Sequence, residues 1–327
     1  MNFVAVSSKG TWHPIMTSDT TIQSYWLNWK PTRNDDMEIQ KETSSSSSSL
    51  SSLYLYEDET WKPCLKGIHP AWLLAFRVFA FILLLVLLIL TVTTDGGSIF
   101  YYYTQWTFSS VTIYFGLGCV LSMHGCYQYH KKASGDKVIN VDVDSEQGIY
   151  ETSKLPQSSN PPSHHDKASQ EHIVRQQAGI WGYMFQILFQ INAGAVILTD
   201  CAFWFIIVPF LTIKDYNITL LTISMHTINA VFLLGDTALN CLRFPWFRIG
   251  YFCLWTVTYV IFQWIVHAIV KLWWPYTFLD LSSHYAPLCY FSMALLHIPC
   301  YGIFILIMKL KHNVLSTRFL DSYQCGR

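Results

Sequence analysis

The sequence predicts an all-α, polytopic membrane helix bundle of about six transmembrane helices, with a disordered N-terminal tail and a cytosolic linker. Three observations predict it. Apolar residues make up 52% of the 327 and charged residues only 13%, about half the roughly 25% of a soluble domain. The charges lie between long apolar runs, the signature of a multi-span membrane protein. Six runs are long enough for the ~20 residues that cross ~30 Å of hydrocarbon: Trp72–Thr93, Thr104–Tyr127, Ile180–Leu211, Ile218–Asn240, Ile249–Leu272 and Tyr285–Lys309. The formal net charge is zero, so bulk charge gives no reason to expect a nucleic-acid partner.

Residues 1–70 form a polar tail whose serine run, Ser44–Ser49, offers too little apolar surface to fold alone. Tyr25, Trp26 and Trp29 suit the membrane interface. No apolar stretch precedes residue 71, so no cleavable signal peptide is expected and the first span reads as an uncleaved anchor. The transmembrane domain covers 71–310, and its 128–177 loop, with Pro156, Pro161 and Pro162, is a flexible linker. The isolated His164-His165 pair there reads as incidental, and no metal is expected. The third run is too long for an untilted crossing and should tilt, extend or kink near Pro209. Residues 311–327 are a C-terminal tail. No matching interrupted helices mark the two halves as transporter repeats.

Lys and Arg gather in the N-terminal tail, the 128–177 loop, the short loop with Arg243 and Arg248, and the C-terminal tail; the other three loops hold only Lys214. The positive-inside rule then places both termini and the basic loops in the cytosol, with the endoplasmic reticulum or plasma membrane as the host membrane. Arg77 and Lys271 lie near span ends, where long side chains snorkel. The nine Cys include no CxxC pair and read as small apolar residues instead of a disulfide framework. Cys126 and Cys241, at cytosolic span ends, are open to palmitoylation. The sequon Asn217-Ile218-Thr219 lies so close to the membrane that it should stay unused.

The fourth run is the most informative. Thr222, His226, Asn229, Asp236 and Asn240 follow at steps of four, three, seven and four, which return to one helix face. A polar stripe cannot face lipid cheaply, and an ionisable residue within a span is a candidate functional residue. With the orientation above, His226 lies about 12 Å, Asp200 about 16 Å and His267 about 8 Å from the lumenal end; Thr104 sits at the start of its span. Gln186 with Gln190, and Gln263 with His267, give other spans polar edges. Interhelical hydrogen bonding accounts for such edges. The functional alternative is chemical: a Thr hydroxyl needs a base, a His titrates near neutrality, and Asp200 would orient it as in a triad. A site inside the bilayer would favour a lipid ester arriving laterally.

At these residues the chain resembles the androgen-induced membrane hydrolase family, multi-span threonine hydrolases of fatty acid esters of hydroxy fatty acids. Thr104 stands twelve residues before Gly116 of Tyr114-Phe115-Gly116, the family spacing for the catalytic Thr. Gly96-Gly97-Ser98 lies upstream, one residue farther from the Thr than in the family. Met225-His226-Thr227 repeats the step that holds the family's catalytic His, and Trp264, His267, Pro275 and Tyr276 match in spacing. Overall the chain is more similar to the rolling-stone-like membrane proteins, plant members included, where Thr104-Gln105-Trp106 resembles a Thr-x-Trp step. The founding member of that group is associated with myoblast fusion and not with a defined reaction. The resemblance covers roughly residues 68–310 and implies Thr104 as nucleophile and His226 as base, with Asp200, His267 and Asn229 supporting. It implies membrane lipids as partners, a lipid ester as substrate, and no cofactor. Two alternatives stand beside this one. One is a non-enzymatic protein of adhesion, fusion or signalling. The other is haem ligation by His124, His226, His267 or His297, of which only His226 and His267 match in depth.

Overall fold

The computed structural model describes residues 55–134, 176–211, 219–270 and 272–325. The serine run, the Tyr25, Trp26 and Trp29 group, the His164-His165 pair, Lys214, Asn217 and Lys271 lie outside the described residues. Among the described residues the regular structure is helical, as a bilayer demands of backbone that must satisfy its own hydrogen bonds.

Helix α1 spans Pro70–Asp95. Pro70 sits at its start, where a missing N–H costs nothing, and His69 Nδ1 accepts the Ala71 N–H at 3.2 Å. Gly96 closes the helix at φ 75°, a left-handed conformation open to glycine. A 3-10 turn, Gly97–Tyr101, leads into α2, Tyr103–Ala133. Helix α3 runs Ile180–Ala202, passes into a π turn at Phe203–Ile207 and finishes as Val208–Leu211. The irregularity expected at Pro209 is therefore a π turn ahead of it. A proline lacks an N–H and crowds the carbonyl four residues back, and the wider turn falls where that carbonyl lies. Helix α4 covers Leu220–Leu239, and the Thr219 hydroxyl accepts the Thr222 N–H at its start. Helices α5, Ile249–Val270, and α6, Ala286–Arg318, complete the bundle.

Among the described residues, five of these six helices are long and apolar enough to cross a membrane; α4, which carries the polar stripe, is the sixth. Large apolar side chains such as Phe79, Ile82, Leu254, Ile265, Phe291 and Leu306 are exposed, as expected where the solvent is lipid. The fold is that of an integral membrane helix bundle. Helix α3 occupies its centre, packed on α2, α4, α5 and α6. Gly194 of α3 lets Phe252 of α5 lie against the backbone, since a Cβ there would sit 2.4 Å from Phe252 Cδ1. Gly194→Ala is expected to cost about 1–3 kcal/mol through overpacking, read as a lower melting temperature of the detergent-solubilised protein; an unchanged melt would contradict this contact.

One end of the bundle, the basic end, carries Lys62, Arg243 and Lys311. Residues 55–69, which the sequence assigns to the tail, pack there: Leu55 and Cys64 are buried, and the Cys64 N–H donates to the Leu239 carbonyl at 2.7 Å. The chain beyond α6 folds back so that Tyr323 pairs with Leu65. Cys325 is disulfide-bonded to Cys241 across 84 residues. This corrects the reading of the cysteines as apolar fillers for these two, and with it the palmitoylation expected at Cys241; the other seven are free, and no spacing rule marks so distant a pair. Cys64 stays reduced, and burial pushes its thiol above the usual range, with Lys311 pulling the other way.

Candidate functional site

The polar stripe of α4 divides between two separate layers. Near the basic end, Asp236 meets Arg77 of α1. Arg77 Nε donates to Asp236 Oδ1 at 2.7 Å, and both side chains are fully buried. Arg77 Nη1 also donates to Ser122 Oγ at 2.7 Å and to the Thr60 carbonyl at 2.8 Å. The Tyr114 hydroxyl and Asn240 Nδ2 both donate to Asp236 Oδ2, and Lys311 Nζ donates to the Asn240 carbonyl. The guanidinium lies over the Phe185 ring, 4.9 Å from its centroid, and Tyr114 stacks on the same ring at 4.6 Å. Arg77 thus turns inward instead of snorkelling outward. Asp236 supplies a charge partner at its own depth, which makes the interior the cheaper place.

The second layer lies further along α1, where the Thr91 hydroxyl reaches Met225 Sδ at 3.3 Å. Thr91 is fourteen residues from Arg77, or about 21 Å. Here His226 is buried and stacks flat on Phe203, with centroids 3.9 Å apart and 4° between planes. Phe203 opens the π turn, and such turns recur at functional sites. His226 Nδ1 lies 3.5 Å from Asp200 Oδ1. That is ion-pair range, but the geometry leaves both atoms without a hydrogen bond. The Asp200 side chain keeps 15% of its surface accessible against 7% for His226, so the carboxylate is the more open partner.

The remaining sequence-predicted residues fall nearby or apart. Asn229 is buried one turn below His226, and its Oδ1 accepts the Ala230 N–H at 2.7 Å. Thr104 is half-buried, and its hydroxyl faces the Tyr276 phenol. Burial pushes that phenol up to about 12, while the Thr104 hydroxyl and backbone pull it back. No hydrogen bond joins Thr104 to His226 among the described residues. His267 stacks on Trp274 at 4.1 Å. The four histidines weighed for haem go to different surroundings. His226 and His267 lie on Phe203 and Trp274, His297 Nε2 meets Thr256 Oγ1 at 2.8 Å, and His124 is exposed beside Glu57.

Several buried polar atoms lack partners in the helices leading to this layer, among them Thr107 Oγ1 and Ser110 Oγ on α2 and Asn192 Oδ1 on α3. Asn192 Nδ2 holds the Ser110 carbonyl at 3.3 Å.

Comparison with known proteins returned no matching family, no matching curated relative and no matching solved structure. Fold and site therefore define the chain as a polytopic integral membrane protein with two intramembrane polar layers, one closed by an ion pair and one built on a histidine–carboxylate pair.

Proposed function

We propose that this integral membrane protein hydrolyses lipid esters within the bilayer, with His226 as general base, Asp200 as its orienting and charge-balancing partner, and Thr104 as nucleophile. The observation that carries the proposal is the His226–Asp200 pair, a buried imidazole beside a half-buried carboxylate on a second helix, with the imidazole fixed face-on by Phe203. A carboxylate beside an imidazole stabilises the imidazolium that forms when the ring takes a proton. Thr104 starts α2 at the same end, and the Tyr276 phenol beside it is a hydrogen-bond donor suited to an ester oxygen. To be activated, the Thr104 hydroxyl must leave Tyr276 and come within hydrogen-bond reach of His226, as catalytic contacts that are open in the free enzyme do when substrate binds. We place both termini in the cytosol, in the endoplasmic reticulum or plasma membrane, on the distribution of Lys and Arg; the Cys241–Cys325 disulfide at that end is the observation that runs against this orientation, since the cytosol keeps thiols reduced. The relation to the rolling-stone-like and androgen-induced hydrolase families belongs to the same proposal.

The test is labelling of the intact protein by a fluorophosphonate probe. Wild type is expected to label and Thr104→Ala to lose all labelling while keeping its melting temperature. Labelling that survives in Thr104→Ala would sink the assignment of the nucleophile. The non-enzymatic reading draws on one observation: the Arg77–Asp236 layer spends Asp236 and Asn240 of the α4 stripe on holding helices together. It predicts an unlabelled wild type.

A further inference from the structure

Many hydroxyls of this bundle follow one rule, and Thr107 and Ser110 depart from it. Buried or half-buried threonines of the spans donate to the carbonyl one turn back. Thr91 bonds the Leu87 carbonyl at 2.8 Å, Thr112 that of Phe108 at 2.9 Å, Thr199 that of Ala195 at 3.0 Å and Thr237 that of Leu233 at 2.6 Å. This is the default for a hydroxyl shielded from water. Thr107 and Ser110 do not follow it, although both are buried. Thr107 lies beside the Tyr103 phenol, which bonds Thr256 Oγ1 at 2.9 Å, and the Thr107 oxygen itself is left without hydrogen-bond geometry. Ser110 Oγ and Asn192 Oδ1 belong to residues already joined through the Ser110 carbonyl, so both open atoms lie at one crossing of α2 and α3. The three residues are at most 2% exposed.

A buried polar atom without a partner is costly, and buried polar groups in membrane bundles are satisfied by protein or by ordered water. We infer that Thr107, Ser110 and Asn192 bind a short file of ordered water between α2 and α3, and that this file delivers water to the His226–Asp200 pair. The inference rests on the hydrolase reading for the second half alone.

The register supports delivery. Helices α2 and α3 run antiparallel, with Tyr114 on Phe185 and Ser110 beside Asn192. Asp200 lies eight residues beyond Asn192, about 12 Å, and Thr107 covers about 4.5 Å of that rise. The remaining ~7.5 Å is bridged by two waters with three gaps of about 2.8 Å. The chemistry that consumes the water is the release of an acyl group from Thr104. His226 takes a proton from the water as its oxygen adds to the acyl carbonyl carbon. The bond from that carbon to Thr104 Oγ breaks, and the proton passes from His226 to Thr104 Oγ. The products are a free fatty acid and the restored hydroxyl.

Three measurements on the full-length protein test this. The first is a structure at a resolution that shows ordered water, where density bridging Ser110 Oγ and Asn192 Oδ1 is expected and a dry contact overturns the inference. The second is thermal melting of Thr107→Val and Ser110→Ala. Removing a hydroxyl that has no partner would leave the melt unchanged or raised, which also overturns it; removing a water-held one is expected to lower the melt by about 2–4 °C. The third is kinetic. Both variants are expected to label with fluorophosphonate at the wild-type rate but to release the acyl group from Thr104 more slowly, by roughly tenfold to a hundredfold. Unaltered release with water density present overturns the delivery role. A wild type that never labels overturns the hydrolase reading and the delivery role together, while the density and the melts still decide the water site.

Discussion

Arg77→Met is expected to be the most damaging single replacement in the bundle. The methionine fills the volume, but it strands Asp236, fully buried with its charge, and leaves Ser122 and the Thr60 carbonyl without a donor. Removing one member of a buried ion pair costs about 3–5 kcal/mol, a large share of the ~5–15 kcal/mol that holds a protein folded. Arg77→Lys should recover little, because one ammonium cannot serve Asp236, Ser122 and the Thr60 carbonyl while stacking on Phe185. Pairing Arg77→Met with Asp236→Leu should recover part of the loss, since no charge is then stranded. Expression, monodispersity and thermal melting in detergent measure all three. A single variant that melts like wild type would show that the pair carries no structural weight.

His226→Gln is expected to have the largest effect on activity. Glutamine keeps a polar side chain of similar reach but accepts no proton near neutrality, so turnover of a lipid ester should fall by about 10²–10⁴. Loss of the Phe203 stack should cost stability only about 0.5–1.5 kcal/mol, so the variant remains foldable. Asp200→Asn should lower turnover with less change in substrate affinity, because the amide orients the ring without balancing its charge. If both variants turn over lipid ester at the wild-type rate, the pair is a packing contact and the hydrolase proposal falls with it.

Much of this was legible from residue order. The six helices follow from apolar run length, and the shared depth of Asp200 and His226 follows from counting residues from the span ends. The Arg77–Asp236 pair was not: Arg77, five residues into the first run, reads as a snorkelling side chain, and its match in depth with Asp236, four residues from the end of the fourth, has meaning only once α1 and α4 are known to be neighbours. What periodicity could not show is that one stripe serves two neighbours. From Thr222 to Asn240 the stripe is about 27 Å long, and packed helices cross at an angle. Its lower part therefore meets α1 while its upper part meets the end of α3. The disulfide between Cys241 and Cys325, and the rotation of Thr104 toward Tyr276, depend on how chain segments fold back, which no local pattern encodes.

The flat Phe203 ring under His226 has a magnetic consequence. A proton held over the face of an aromatic ring is shielded, so the His226 carbon-bound ring protons resonate upfield of those of histidines without such a neighbour. The chain has twelve histidines; His226 on Phe203 and His267 on Trp274 are the ones stacked face-on among the described residues, and the signal that disappears in His226→Gln is that of His226. The base assigned to the reaction thereby carries a spectroscopic label, and once that signal is assigned its protonation can be followed in the intact membrane protein.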